Sequence, residues 1–190
     1  ITFHRAKTGH FLATNQEALG DLSIADICLT NPPEMQIMEA LDGEDLARLL
    51  PVRPRASHKG ANGRVLLYGG SMGMAGAAAM AALGCLRAGA GLVTMACEEN
   101  IIPILQVLVP NATCMPLAQV LEAPPRHDVL LAGCGLGKDM EVWRHLSRLY
   151  DADVPTVLDA DALNLLAENP MRLGDSTIIT PHVGEAARLL

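Results

Sequence analysis

The sequence predicts an α/β protein built on a mostly parallel, doubly wound sheet with helices on both faces. Three observations carry that expectation. From Arg64 onward, short apolar runs alternate with helix-length segments at the spacing of right-handed strand–helix–strand crossovers. The 190 residues are 50% apolar but only 3% aromatic, so the core is aliphatic and closely packed, which suits helices lying on a parallel sheet. Nearly every chemically distinctive short segment follows the C-terminal end of a predicted strand, and in an open parallel sheet those ends share one ligand-binding edge.

Taken in order, residues 1–4 and 21–29 read as two short strands joined by a polar loop containing Gly9 and Gly20, too little apolar surface for an independent domain. Asn31-Pro32-Pro33 breaks the pattern, because consecutive prolines fix an extended backbone and remove donors. A helix over 43–50 and a proline- and arginine-containing connector follow, with a domain boundary expected near residues 30–40. Strand 65–68 leads through Gly69-Gly70-Ser71 into an alanine-rich helix over 75–88. Strand 92–97 precedes a helix over 101–109 whose Pro103 sits in the tolerated first turn. Further strands are expected at 112–115, 128–132, 155–158 and 177–180, with helices over 140–150 and 162–168 and another starting at Gly184.

Composition excludes several classes. Fourteen basic residues against twenty-one acidic ones give −7, with no Lys/Arg cluster, so nucleic acid is not an expected partner. No apolar run approaches the roughly 20 residues of a membrane span, and the first ten residues lack the apolar stretch of a signal peptide. The five cysteines form no C-x-x-C pair, so the expectation is reduced thiols in a cytoplasmic protein and no metal site of that kind. A start at Ile1 rather than Met suggests a fragment.

Five segments would converge on the predicted cleft: Gly69–Ser71, Glu98-Glu99-Asn100, Gly133–Gly137, Asp159-Ala160-Asp161 and Pro181-His182. The loop from Gly69 to Ala77, including Gly70, Ser71 and Gly76, opens a helix whose free N–H groups favour a phosphate, and Gly133, Gly135 and Gly137 do so more weakly. Close helix–sheet packing is the alternative reason for these small residues. Neither loop matches G-x-x-x-x-G-K-[ST] or a dinucleotide fingerprint. Asp159 and Asp161 either point into the cleft or cap a helix, and Asn164 lies one turn beyond Asp161. His182 either binds a ligand or accompanies a Thr180…Glu185 cap; His58 and Lys59 either reach a phosphate or lie in a solvated loop. Met72 and Met74 read as adaptable apolar lining. Ser71 lacks the G-x-S-x-G elbow, and no metal-ligand spacing is present. A cleft with phosphate-friendly loops, carboxylates and one histidine points to a nucleotide or a phosphorylated small molecule.

The segments 58–71, Met74-Ala-Gly-Ala-Ala78, Arg87-Ala-Gly-Ala-Gly-Leu-Val93, Gly133-Cys-Gly-Leu-Gly137, Asp159-Ala-Asp-Ala-Leu-Asn-Leu-Leu166 and Thr180-Pro-His-Val-Gly-Glu185 resemble, in order and spacing, the motifs of the NAD(P)H-hydrate dehydratases. Residues 1–30 resemble the last strands of the NAD(P)H-hydrate epimerase domain that precedes the dehydratase in bifunctional bacterial proteins, leaving 31–57 as linker and 58–190 as the N-terminal portion of the dehydratase domain. The resemblance implies a ribokinase-like fold whose C-terminal part is missing from these 190 residues. It implies dehydration of the S epimer of hydrated NADH or NADPH, by phosphorylation of the new hydroxyl from ADP or ATP with Mg2+ and elimination of phosphate. It implies hydrate contacts from Ala77, Gly135 and His182, with Gly76, Asp159 and Asn164 close by. The donor-binding lysine–glycine segment and the Gly-x-Gly-Asp catalytic base are expected after residue 190, so residues 1–190 alone are expected not to turn over. A homo-oligomer is implied, since family members are often tetramers. Two departures stand out: Cys134 replaces the usual proline, which is expected to loosen its loop, and Ala75 replaces the usual threonine. The competing readings are a ribokinase-like kinase for hydroxymethylpyrimidine or hydroxyethylthiazole and a non-catalytic nucleotide-binding fragment.

Overall fold

The computed structural model describes residues 1–11, 16–30, 43–151 and 153–190. The chain divides into two compact units, Ile1–Val52 and Arg53–Leu190. The expected proline break at 31–33 and the boundary near 30–40 lie outside the described residues.

In the first unit the two expected strands are much shorter than their sequence runs. β1 is Thr2–Phe3 and β2 is Ile24–Ala25, paired in parallel, with a 3-10 turn at Thr8–His10 and a short helix α1 (Gln16–Leu19) between them. The backbone explains the shortening. His4 turns to φ +67, ending β1, and the Lys7 ammonium gathers the Phe3 and Arg5 carbonyls into a bend. Beyond β2, the Asp26 carboxylate accepts the Cys28 N–H in an Asx turn, and Cys28 itself has φ +55. Helix α2 is Gly43–Leu49.

The second unit carries the sheet. Its strands are β3 (Arg64–Tyr68), β4 (Leu92–Cys97), β5 (Thr113–Pro116), β6 (Val129–Ala132), β7 (Thr156–Leu158) and β8 (Thr177–Ile179). They lie in the order β5-β4-β3-β6-β7-β8, every pair parallel. The chain therefore winds outward from β3 in one direction and from β6 in the other, with the topological switch between those two central strands. Helices α3 (Ala75–Ala88), α4 (Ile102–Leu108), α6 (Met140–Leu149), α7 (Asp161–Glu168) and α8 (Val183–Leu189) fall within a residue or two of their expected places. Helix α5 (Leu117–Glu122) was not anticipated. Six residues after Pro116 give too short an apolar period to distinguish a helix from a loop; packing of Val120 into the core holds it.

Two apolar layers cover the sheet. Leu66, Tyr68, Leu130, Ala132 and Leu158 point to the layer that holds Val120 of α5, Leu146 of α6 and Leu163 of α7. Leu67, Val93, Met95 and Cys97 point to the opposite layer, against Ala78 and Ala82 of α3 and Leu105 of α4. Burial on both faces is why the strands read as continuous rather than alternating apolar runs. The alanine stripe Ala75-Ala78-Ala79-Ala82 brings α3 close to β3 and β4, and Gly89, at φ +112, ends that helix in a left-handed cap.

Leu66 is fully buried at the centre of the sheet. Leu66→Ala is expected to lower the unfolding free energy by about 2–5 kcal/mol, while Gln119→Ala on the exposed side of α5 changes it by less than about 0.5 kcal/mol. Urea denaturation followed by circular dichroism measures both.

Candidate functional site

The loops leaving β3 and β6 are tied together at the switch point. The Gly70 N–H donates to the Cys134 carbonyl at 2.9 Å, and the Ser71 hydroxyl donates to the Gly135 carbonyl at 2.9 Å. The Gly133 N–H returns to the Tyr68 carbonyl at 3.2 Å. Ser71 thus acts as a clasp between the loops. Gly70 has φ +80, and a Cβ there would stand 2.9 Å from the Ala78 side chain. Gly133, at φ +127, lies directly against the Asp159 carbonyl and leaves no room for any side chain. Gly135, at φ +70, faces Met74 and Ala77, each 3.0 Å from where its Cβ would be. The two residues singled out in separate loops, Ala77 and Gly135, are therefore neighbours. Gly76 is exposed in the first turn of α3 with open space around it, and Gly137 (φ +84) is equally unobstructed. The exchange of proline for Cys134 leaves the loop anchored through the Cys134 carbonyl.

The carboxylates divide their roles. Asp161 accepts the Gly137 N–H at 3.0 Å, so it buttresses the second glycine loop and makes no side-chain cap on α7. Asp159 accepts from the Thr180 hydroxyl at 2.9 Å and faces the Cys134 thiol at 3.8 Å. Between them Ala160 has φ +48, a strained conformation for a residue with a Cβ. Asn164 is buried, donating to the Ala160 carbonyl and accepting from Arg188 at 2.9 Å, so both ends of its amide are engaged within the protein. His182 is the N-cap of α8: its Nδ1 accepts the Gly184 N–H at 3.0 Å, and its backbone N–H donates to the buried Glu185. The cap expected from Thr180 is thus made by His182. The ring is about two-thirds exposed with Nε2 3.3 Å from the other Glu185 oxygen, so it is oriented by protein partners while open to solvent.

Lys59 is not brought to this edge. It lies in a 3-10 turn, Lys59–Ala61, before β3 begins, and its carbonyl packs against Gly91 just ahead of β4. That is the N-terminal edge of the sheet. A five-residue strand separates it from the glycine loops, farther than a lysine side chain reaches.

A cleft of about 460 Å3 lies beside the loops; it gathers Gly70, Glu98, Glu99 and Leu136 of the segments expected to converge, together with Tyr68, Asp139 and Glu141, which sequence reasoning did not single out. Gly70 and Leu136 form its inner side, Tyr68 its floor, and Glu98, Glu99, Asp139 and Glu141 line it. The available signal was a tyrosine immediately before Gly69 and two acids just beyond Gly137.

The doubly wound parallel sheet of this chain is the ribokinase-like fold. A family model described as NAD(P)H-hydrate dehydratase matches residues 65–190, and the chain belongs to that family. It is 44% identical over 153 residues to the bifunctional NAD(P)H-hydrate repair enzyme Nnr of Coxiella burnetii, covering 79% of this chain and 31% of that protein. It is 37% identical to the Escherichia coli enzyme of the same description, over 100% of this chain and 38% of the relative. The crystal structure of the ADP/ATP-dependent NAD(P)H-hydrate dehydratase of Bacillus subtilis, co-crystallized with ATP/Mg2+, superposes with a TM-score of 0.67 at 36% identity, covering 77% of this chain and 53% of that one. The chain spans about a third of the length of the bifunctional relatives.

Two outcomes follow from the geometry. Gly133→Ala meets both the Asp159 carbonyl and a forbidden φ, whereas Gly137→Ala meets only the latter. Thermal unfolding is expected to show a loss of about 1–2 kcal/mol for Gly137→Ala and a larger one for Gly133→Ala. Separately, burial first and then the Asp159 carboxylate push the Cys134 thiol up to about 11 from its ordinary 9.0. A raised folded value favours the protonated form, so the stabilisation is complete below pH 9.0 and is lost as pH rises toward about 11. The unfolding midpoint is expected to fall across that range, less steeply in Cys134→Ala; Cys97, pushed up to about 12 by burial, extends the loss to higher pH.

Proposed function

We propose that this chain provides the substrate-binding portion of an ADP- or ATP-dependent dehydratase that returns (S)-NAD(P)H-hydrate to NAD(P)H. The observation that carries this reading is the adjacency of Ala77 and Gly135 at the switch point, in a chain of the dehydratase family. Ala77, in the first turn of α3, and Gly135, in the loop after β6, are in contact, and such small residues let a flat, hydrated nicotinamide ring approach the backbone beside them. The N-terminus of α3 beside it favours the dinucleotide's phosphates. His182 is exposed at this edge, and its Nε2 reaches the hydrate by exchanging Glu185 for it, while Asp159 lies behind the second loop. Asn164 supports the site from within through Ala160 and Arg188.

A bound phosphoryl donor converts the ring hydroxyl into a phosphate leaving group, and this chain's residues orient that hydroxyl. Among the described residues no three His, Cys, Asp or Glu side chains converge to hold a metal ion. The donor site and the catalytic base belong to the remainder of the family's fold, of which this chain spans 53% in the B. subtilis enzyme. Residues 1–30 are the end of an epimerase-like domain, 31–57 a linker, and 58–190 the dehydratase portion; a match that runs through all of this chain, and 38% of the bifunctional E. coli relative, supports this division. Among the described residues no helix is long and apolar enough to cross a membrane.

The intact protein is expected to restore NADH absorbance from (S)-NADH-hydrate and ADP or ATP, with release of phosphate. Ala77→Leu forces the Gly135 loop away from α3 and is expected to lower kcat/KM by about 100-fold, the effect of displacing a substrate by an ångström or so. Phosphorylation of a stable alcohol with no recovery of NADH would overturn the assignment.

A further inference from the structure

The cleft beside the glycine loops has properties that the binding of the hydrated ring does not use. Tyr68, on the central strand, is 3% exposed. Its hydroxyl makes no hydrogen bond among the described residues, yet it is not a fully enclosed atom, so the one polar atom of the ring opens into the cleft. A tyrosine buried to this degree ordinarily has a hydrogen-bond partner, and the free hydroxyl marks a place for a ligand's polar group. The carboxylates of Glu98 and Glu141 stand near it. After burial, their charges are the next causes that push the phenol well above its ordinary range, so it stays protonated and able to donate. Glu99 and Asp139 add two more acids, and the cleft's one basic side chain, His145, is 4.0 Å from Glu141. Leu117, Leu121 and Val142 add an apolar wall.

These groups select by charge and shape. Four carboxylates repel an anion but accept hydroxyl donors, as acids do that bind the ribose of a dinucleotide. The apolar wall accepts a flat base. Gly70 and Leu136 belong both to the cleft and to the tied loops, so an occupant is continuous with whatever the loops hold.

We propose that this cleft holds the adenosine ribose and base of the hydrated dinucleotide, with Tyr68 donating to the sugar and Glu98 and Glu141 accepting its hydroxyls, and that it selects the 2′-hydroxyl over a 2′-phosphate. This rests on the dehydratase reading and names its preferred substrate, NADH-hydrate over NADPH-hydrate.

The test measures calorimetric binding of ADP-ribose and of 2′-phospho-ADP-ribose to the intact protein, with saturating ADP in the donor site. The wild type is expected to bind ADP-ribose about tenfold more tightly, a gap of about 1.4 kcal/mol, which narrows as salt screens the exposed acids. The double variant Glu98→Gln/Glu141→Gln is expected to bring the two ligands within about threefold, chiefly by tighter binding of the 2′-phosphate. Tyr68→Phe is expected to weaken both ligands several-fold and leave their ratio unchanged. Equal affinities in the wild type, a ratio that the double variant does not move, or failure of ADP-ribose to bind beside saturating ADP would overturn the proposal. Neither probe carries the hydrated ring. Intact turnover without this preference therefore sinks only the cleft assignment, and the preference without turnover sinks only the dehydratase reading.

Discussion

The contact between Gly133 and the Asp159 carbonyl constrains the whole ligand-binding edge of the sheet. With no room for a Cβ and a φ that side chains rarely adopt, the chain leaving β6 lies flat on the chain leaving β7. That approach carries Cys134 and Gly135 back over β3, where their carbonyls meet the Gly70 N–H and the Ser71 hydroxyl. It also lets the Asp161 carboxylate reach the Gly137 N–H. Loops from β3, β6 and β7 thereby form one hydrogen-bonded surface, and loss of any one tie leaves polar backbone groups without partners.

Small side chains serve two ends in this surface. The alanine stripe of α3 brings that helix against the sheet, which sets Met74 and Ala77 against Gly135. A side chain at Gly70 or Gly135 would disturb this packing, since its Cβ would stand 2.9–3.0 Å from Ala78 or Ala77. Asp159 joins the last strand to the arrangement through Thr180, so the segment that bears His182 is positioned by the loop it faces.

Much of this was legible in the sequence. Continuous apolar runs, an alanine-rich helix and glycine clusters at strand ends identify a parallel sheet and the edge that binds ligands, because burial on both faces and close backbone approach each demand particular residues. The N-terminal strands were not legible at their true length, since His4 and Cys28 leave the extended region for reasons of local hydrogen bonding that residue type does not announce. Helix α5 was hidden by its brevity. At the site, the pairing of Ala77 with Gly135 depends on β3 and β6 being neighbours despite some sixty residues between them, and only the strand order reveals it. Lys59 sat close in sequence to Gly70 but at the other end of β3, and Asn164 faced the right way for a ligand yet was taken by Arg188. Glu98 and Glu99 were legible as cleft residues, but Tyr68, Asp139 and Glu141 were not, because they come from β3, the residue before α6 and α6 itself, with no shared motif.

The central claim is that the tied loops at the β3–β6 switch point hold the hydrated dinucleotide. Amide chemical shifts of the intact protein titrated with (S)-NADH-hydrate test it most directly. The account predicts that the largest changes fall on residues 70–77, 133–137 and 182–184, with none at Lys59–Asn62 on the opposite edge. Changes concentrated at that opposite edge, with the glycine loops unmoved, would contradict it.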